Sequence, residues 1–327
     1  MRRSVLKKLA SPRFLNLHVA SAIFSFCILS ALSLPVTAGD GVSTAQFAFD
    51  PELYPVRMIM RDKNYNAARP LLDEYLKKKP NNSLALVYRA RCYVDENKTK
   101  DALDCLHRAA TINPTNPEIY AEEANIYATQ KQHQKAIVAA STSLKYGKGN
   151  SQKHMFHLRS MMYSAMGQYK KAIEDMNSYL QIDSVKHRPF SWRATAYEQD
   201  GQLDKALADY RTAMQKSNNY EYRFHTARVL QKQGKMEDAV SEMTAIIKVN
   251  PEEDEAWNKR GNLYFSMGKY KEAVKDFTEA LATNFGSNET IYRSRGRAYE
   301  KLGQKDLAQK DFRKAEELQK KPTVSPI

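Results

Sequence analysis

Cysteine is scarce. Cys27, Cys92 and Cys105 are the only three in 327 residues, and their spacing fits neither a disulfide framework nor a zinc site. Cys92 and Cys105 leave two readings open, a single bond in an oxidising compartment or two separate buried thiols. No Gly-rich phosphate loop, nucleophile elbow or metalloprotease histidine pair occurs, which removes the usual local signatures of nucleotide, acyl-transfer and zinc-protease chemistry. Long apolar runs are also missing. The longest, Val19 to Leu34, has 16 residues, short of the roughly 20 that a spanning helix needs. The first 38 residues lack acids entirely.

That acid-free stretch holds five cations, Arg2, Arg3, Lys7, Lys8 and Arg13. A basic start, an apolar centre and a small-residue ending at Pro35-Val36-Thr37-Ala38 follow the three-part order of a secretory signal peptide, with cleavage expected after Ala38. The alternative is an uncleaved anchor over residues 19–38, the one circumstance in which a membrane enters. Arg2-Arg3 also fits a twin-arginine signal, but adjacent arginines are common in basic leaders. The long apolar core speaks against a mitochondrial address. The expected location is therefore exported: periplasm, cell envelope or exterior.

Beyond the leader the chain keeps 46 cations against 37 acids, a surplus of nine. Such a surplus favours acidic partners, although it concerns association and not fold. Its cations are interleaved with acids and form no stripe, and export would remove nucleic acid as a partner, so none is expected.

Residues 254–287 carry the organising pattern. Trp257, Gly261, Tyr264, Gly268, Tyr270, Ala273, Phe277 and Ala280 stand at places 4, 8, 11, 15, 17, 20, 24 and 27 of a 34-residue unit. The same spacing recurs over 49–82, 83–116, 117–150, 153–186, 187–220, 220–253 and 289–322. It resembles the tetratricopeptide repeat (TPR), a helix-turn-helix module. The resemblance implies an all-α solenoid of about eight repeats, coiled as a right-handed superhelix. Small residues at places 8 and 20 are expected to face each other where two antiparallel helices come closest, with Tyr264 and Phe277 filling the wider space. Gly268 permits the turn. Pro70 falls inside the second helix of repeat one, where it removes a hydrogen bond or delays the helix start. Gly147 to Asn150 make a break before repeat four, with two extra residues. Residues 39–48 are a short lead, and 323–327 a disordered tail.

Five repeats have Arg at place 7: Arg89, Arg159, Arg193, Arg260 and Arg295. Four have Asp at place 23 of the same repeat, which predicts the structural pairs Arg159–Asp175, Arg193–Asp209, Arg260–Asp276 and Arg295–Asp311, each contributing about 0 to 1 kcal/mol if exposed. Repeat two departs, with Cys105 at place 23 beside Asp104. Tyrosines at place 11 are expected in the core. His154 and His157 share a helix face but have no evident third ligand, so no metal is expected, and no cofactor. Asn81, Asn97 and Asn288 fit glycosylation sequons but sit where turns favour Asn.

The resemblance further implies that places 2, 5, 9, 12 and 13 of each first helix line a concave groove. This makes Arg91, Asn125, Arg228, Asn258, Asn262, Arg293 and Arg297 the candidate peptide-binding residues, with the densest basic cluster in repeats seven and eight. Such a groove suits an extended peptide with acidic side chains or a free carboxylate, and an equally plain reading is a solvated basic face. Trp257 to Asn262, WNKRGN, is similar to the lysine- and asparagine-bearing clamp of chaperone-binding TPRs. Repeats five and six depart from it, with Ser191, Thr195, Phe224 and Arg228. Four functions remain: a scaffold binding a protein or peptide in the groove; an assembly or regulatory subunit docking by the convex face; a membrane-anchored form; and a subunit of an envelope enzyme, or an unrecognised one. Lacking a catalytic cleft, the chain is not expected to be an enzyme.

Overall fold

The computed structural model describes residues 50–217, 219–283 and 288–320. The leader 1–38, its apolar segment, the lead 39–48 and the tail 323–327 lie outside the described residues. From Glu52 onward the described residues belong to one unit.

Among the described residues the regular structure is entirely helical, sixteen α-helices that follow one another in pairs. They are α1 (Tyr54–Arg61) with α2 (Tyr65–Lys78), α3 (Ser83–Asp95) with α4 (Thr99–Ile112), α5 (Pro117–Thr129) with α6 (His133–Tyr146), and α7 (Gln152–Ala165) with α8 (Tyr169–Ile182). The second half continues with α9 (Arg188–Gln199) and α10 (Leu203–Ser217), α11 (Glu221–Lys232) and α12 (Met236–Val249), α13 (Asp254–Ser266) and α14 (Tyr270–Thr283), α15 (Glu289–Lys301) and α16 (Lys305–Lys320). Each helix packs chiefly on its neighbours in sequence, as a solenoid requires.

Local chemistry sets the boundaries. Asn82, Asn116 and Asn288 cap α3, α5 and α15 by accepting hydrogen bonds from the amides of Ala85, Glu118 and Thr290. Inside each pair, the turn places one residue in the left-handed region, always at place 15. Five are glycine (Gly167, Gly201, Gly234, Gly268, Gly303) and three are not: Lys63, Asn97 and Lys131 adopt φ of 54°, 58° and 57°. Asn tolerates that region through its short polar side chain, whereas the two lysines adopt it against their Cβ preference. Pro70 lies within α2, so the helix loses an internal bond and keeps its early start. Of the two residues added before repeat four, Ser151 ends a 3-10 turn, Gly149–Ser151, and Gln152 begins α7.

The core is a ladder of small residues. Every place 20 is alanine, Ala68, Ala102, Ala136, Ala172, Ala206, Ala239, Ala273 and Ala308, and none is more than 2% exposed. Ala124 and Ala194 at place 8 are likewise sealed. In repeats seven and eight, where place 8 is glycine, the nearest group to that position is the ring at place 24. A Cβ built on Gly261 would lie 2.8 Å from Phe277, and one on Gly296 2.6 Å from Phe312. Where place 8 is alanine, place 24 holds a residue other than Phe: Leu106, Ala140, Tyr210 or Met243. Cys92 and Cys105 are both free and buried, and join different apolar clusters. Burial pushes the Cys92 thiol up to about 11.

Gly261→Ala is expected to destabilise by about 1–3 kcal/mol through overpacking against Phe277, and Phe277→Leu in the same chain should recover part of the loss. Urea unfolding of both single variants and the double measures the coupling; simple additivity would show that the ring yields freely.

Candidate functional site

On each first helix the 100° step between residues puts places 4, 7 and 11 on one side and places 5, 9 and 12 on the other. The place-9 side is the groove side by the repeat analogy. Its residues Arg57, Met161, Arg228, Asn262 and Arg297 are exposed, whereas Arg91 and Asn125 are half-buried.

Most of the expected basic cluster is not free to meet a ligand. Arg91 donates to Glu122 at 2.8 Å and to Glu118 at 3.3 Å, both on α5 of the following repeat. Arg228 forks onto Glu198 of the preceding repeat at 2.9 and 2.7 Å, and Lys232 joins at 2.8 Å. Burial would raise the Glu198 carboxyl, but these two cations outweigh it and hold it below its ordinary value. Arg293 donates to Glu289 one turn away and to Gln319 at 3.1 Å. Asn262 donates to the Asn258 backbone and side-chain oxygens at 2.9 and 3.1 Å, and Asn125 bonds His154 at 2.9 Å. Of the seven candidates, Arg297 alone is an exposed cation that no described residue pairs. Sequence reading missed the partners of Arg91, Asn125 and Arg228 because they lie 27 to 31 positions away, in a neighbouring repeat. An acid recurring near the repeat period is the signal that finds those of the two arginines.

The opposite side holds the arginine clasps. Arg159, Arg193, Arg260 and Arg295 each grip Asp175, Asp209, Asp276 and Asp311 through Nε and Nη2, at 2.6–2.9 Å. The aspartates are 3–10% exposed and the arginines 14–21%, so these bonds are largely buried and the small value for an exposed pair does not apply. Each Nη1 reaches an acceptor at place 25 of the preceding repeat: Ser141, Asn177, Thr244 or Thr278. One guanidinium thus ties two helices of its own hairpin to the one before. For Arg193 and Arg260 the carboxylate bond is the largest influence and raises the guanidinium pKa. Burial acts the other way on Arg159 and Arg295, but the carboxylate outweighs it. The place-11 tyrosines are half-buried; Tyr93, Tyr127, Tyr163, Tyr197 and Tyr264 pack against the apolar clusters, and those of the clasp repeats also flank the arginines. Tyr163, Tyr197, Tyr264 and Tyr299 have ring centroids 5.7–5.9 Å from the guanidinium carbons.

Four repeats depart from the clasp. Repeat one has Pro55 at place 7 and Leu71 at place 23. Arg89 turns to Asp73 of repeat one at 2.9 Å, not to Asp104. Repeat six substitutes Arg223 and Glu242, at 2.6 Å. Repeat three has Glu123 at place 7 and Ala139 at place 23. Elsewhere, His157 stacks on Trp192 with centroids 3.5 Å apart, so its ring serves packing. Among the described residues no group of three His, Cys, Asp or Glu converges on a metal position, and no helix is long and apolar enough to cross a membrane.

Residues 60–110, 154–185, 254–284 and 290–322 match models of the tetratricopeptide repeat. DnaJ homolog subfamily C member 3 of Gallus gallus is 24% identical over 229 residues, 68% of this chain and 41% of that protein. Hsp70-Hsp90 organizing protein 1 of Arabidopsis thaliana is 28% identical over 149 residues, 44% of this chain and 26% of its own length. The chain therefore spans less than half of these relatives. The solved C-terminal part of a TPR repeat-containing protein from Cytophaga hutchinsonii aligns with a TM-score of 0.64 at 16% identity, covering 74% of this chain and 98% of that one, which is a likeness of fold.

Two outcomes test the electrostatics. Asp276→Ala strands a largely buried guanidinium and should cost about 3–5 kcal/mol, whereas Arg260→Met combined with Asp276→Leu should lie within about 1 kcal/mol of the parent in urea unfolding. Burial, with the nearby His154, lowers the His157 imidazole from 6.5 to about 4. The unfolded chain then binds more protons across that window, so the stability His157 contributes is complete above its unfolded pKa and disappears as pH falls to the folded value. His157→Gln should accordingly show a smaller loss of melting temperature between neutral pH and about pH 4; equal losses would refute a buried neutral imidazole.

Proposed function

The chain belongs to the tetratricopeptide-repeat family, and on that premise we propose that it is an exported, non-catalytic scaffold that holds an extended segment of another protein along the face of its first helices. The observation that carries this reading is the row of exposed place-9 side chains, Arg57, Met161, Arg228, Asn262 and Arg297, standing on helices already locked to one another. A rigid surface binds without having to order itself, which removes one of the entropic costs of association. Arg297 supplies an unpaired charge for an acidic side chain or a chain-terminal carboxylate. Elsewhere the ion pairs leave a polar surface of low net charge, which favours hydrogen bonding and shape over a general attraction to acid.

Similarity to Hsp70-Hsp90 organizing proteins supports protein binding as the class of function. It does not bring their partners with it, because Ser191, Thr195, Phe224 and Arg228 stand where a three-repeat clamp needs lysine, asparagine and arginine. Export rests on the order of charge and apolarity in residues 1–38.

Photo-crosslinking residues placed at Met161, Asn262 and Arg297 in the native cell should capture one common partner, whereas Leu71 and Leu307, exposed on second helices, should not. Capture only from the second-helix positions would replace this reading with docking by the convex face. Sequencing the amino terminus of the processed protein should begin at Gly39; an intact leader retained in the membrane would favour the anchored form.

A further inference from the structure

Repeat three departs from the arginine clasp at three positions together. Its place 7 is Glu123 where the four clasp repeats have arginine, and its place 23 is Ala139 where they have aspartate. Place 25 of the preceding repeat, which elsewhere accepts from Nη1, is His107. The aromatic frame is unchanged. In repeats four, five, seven and eight the guanidinium carbon lies 4.9–6.0 Å from the rings at places 4 and 11. Repeat three supplies Tyr120 and Tyr127 at those places, and Tyr120 is anchored by a 2.8 Å bond from its hydroxyl to the Pro114 carbonyl. Trp257 makes the same bond to Pro251 in repeat seven.

What the substitutions leave is space beside an anion. A cavity of about 350 Å³ opens here, walled by Tyr120, Tyr127, Val138 and Ala139, with Glu123 and His107 among its polar lining together with Gln134, Lys135 and Thr142. The Glu123 side chain is 12% exposed, and the imidazole Nε2 of His107 lies 3.6 Å from its carboxylate, on a ring that is itself 62% exposed. Burial raises the Glu123 carboxyl, and His107 opposes this only in part. Lys135 lies over Tyr127 at 5.4 Å, but lysines in the same place, Lys171 and Lys205, lie over Tyr163 and Tyr197 in repeats that also hold their arginine. Lys135 therefore belongs to the frame and does not stand in for the missing guanidinium.

We infer that this cavity receives the guanidinium of an arginine side chain from a partner protein, paired with the Glu123 carboxylate between the faces of Tyr120 and Tyr127. The incoming group occupies the frame that the chain fills with its own arginines elsewhere, and Glu123 replaces the aspartate by reaching from the other helix. Planar stacking and a fork-shaped donor favour guanidinium over ammonium. The site lies on the side of the first helix opposite the proposed groove, so the two readings stand or fall separately.

The probe is the blocked peptide acetyl-Gly-Gly-Arg-Gly-Gly-amide, titrated into the full chain carrying labelled alanine and valine methyl groups. Saturable shifts are expected at Ala139 and Val138, and Glu123→Gln should weaken binding by at least about tenfold while leaving helicity unchanged. Glu123→Arg with Ala139→Asp rebuilds the clasp in cis and should abolish binding in a folded protein. Equal binding of the citrulline or lysine peptide would overturn the guanidinium assignment, and tighter binding of free arginine would reassign the cavity to an amino acid. Absence of shifts, or unchanged affinity in Glu123→Gln, would overturn the site. None of these results alters crosslinking at Met161, Asn262 or Arg297.

Discussion

The close approach of two antiparallel helices, permitted by a small residue at place 8 set against the side chain at place 24, is the contact on which the rest of the molecule depends. Gly261 and Gly296 take it to its limit, with phenylalanine rings where a methyl group would otherwise sit. Once each hairpin is closed in this way its apolar faces still look outward along the array. They are covered only by the next hairpin. The apolar clusters accordingly cross repeat boundaries, as when Leu72 and Cys92 share one cluster and Ala194 and Leu263 another. A single repeat has no complete core of its own, and the stability of each is lent by its neighbours.

Charge is organised by the same neighbour rule. Each clasp arginine satisfies three acceptors distributed over two repeats, so a guanidinium placed for electrostatics also sets the register between hairpins. Arg91 and Arg228 do the same on the groove side through Glu122 and Glu198. These pairs take up cations and acids together and leave the formal surplus unchanged, but they place Arg91 and Arg228 beside acids where a ligand would otherwise meet them. What remains on the groove face is a sparse pattern of amides, one thioether, Arg57 and Arg297, a surface suited to selecting by fit. On the other face, the sign is reversed at Glu123, in the one hairpin where an aspartate has become alanine at the clasp position.

Turn chemistry shows how closely the repeat frame constrains the backbone. Lys63 and Lys131 adopt the left-handed conformation that five glycines adopt at the same place. The hairpin requires that conformation whichever residue occupies it, and tertiary packing supplies what the lysine side chain does not favour.

The periodic alanines, glycines and aromatics are enough, as a bare string of letters, to establish the helical hairpins, their number to a good approximation and the identity of the four clasp pairs. All of those depend on intervals within one repeat, and an interval within one helical hairpin translates directly into a distance. Three matters were left to the tertiary structure: how deeply the clasps are buried, the acids that take up Arg91 and Arg228, and the cavity beside Glu123. Each is decided by how one hairpin rests against the next. That contact joins residues about a repeat apart, where small changes in side-chain length choose the partner, and no local pattern records the choice.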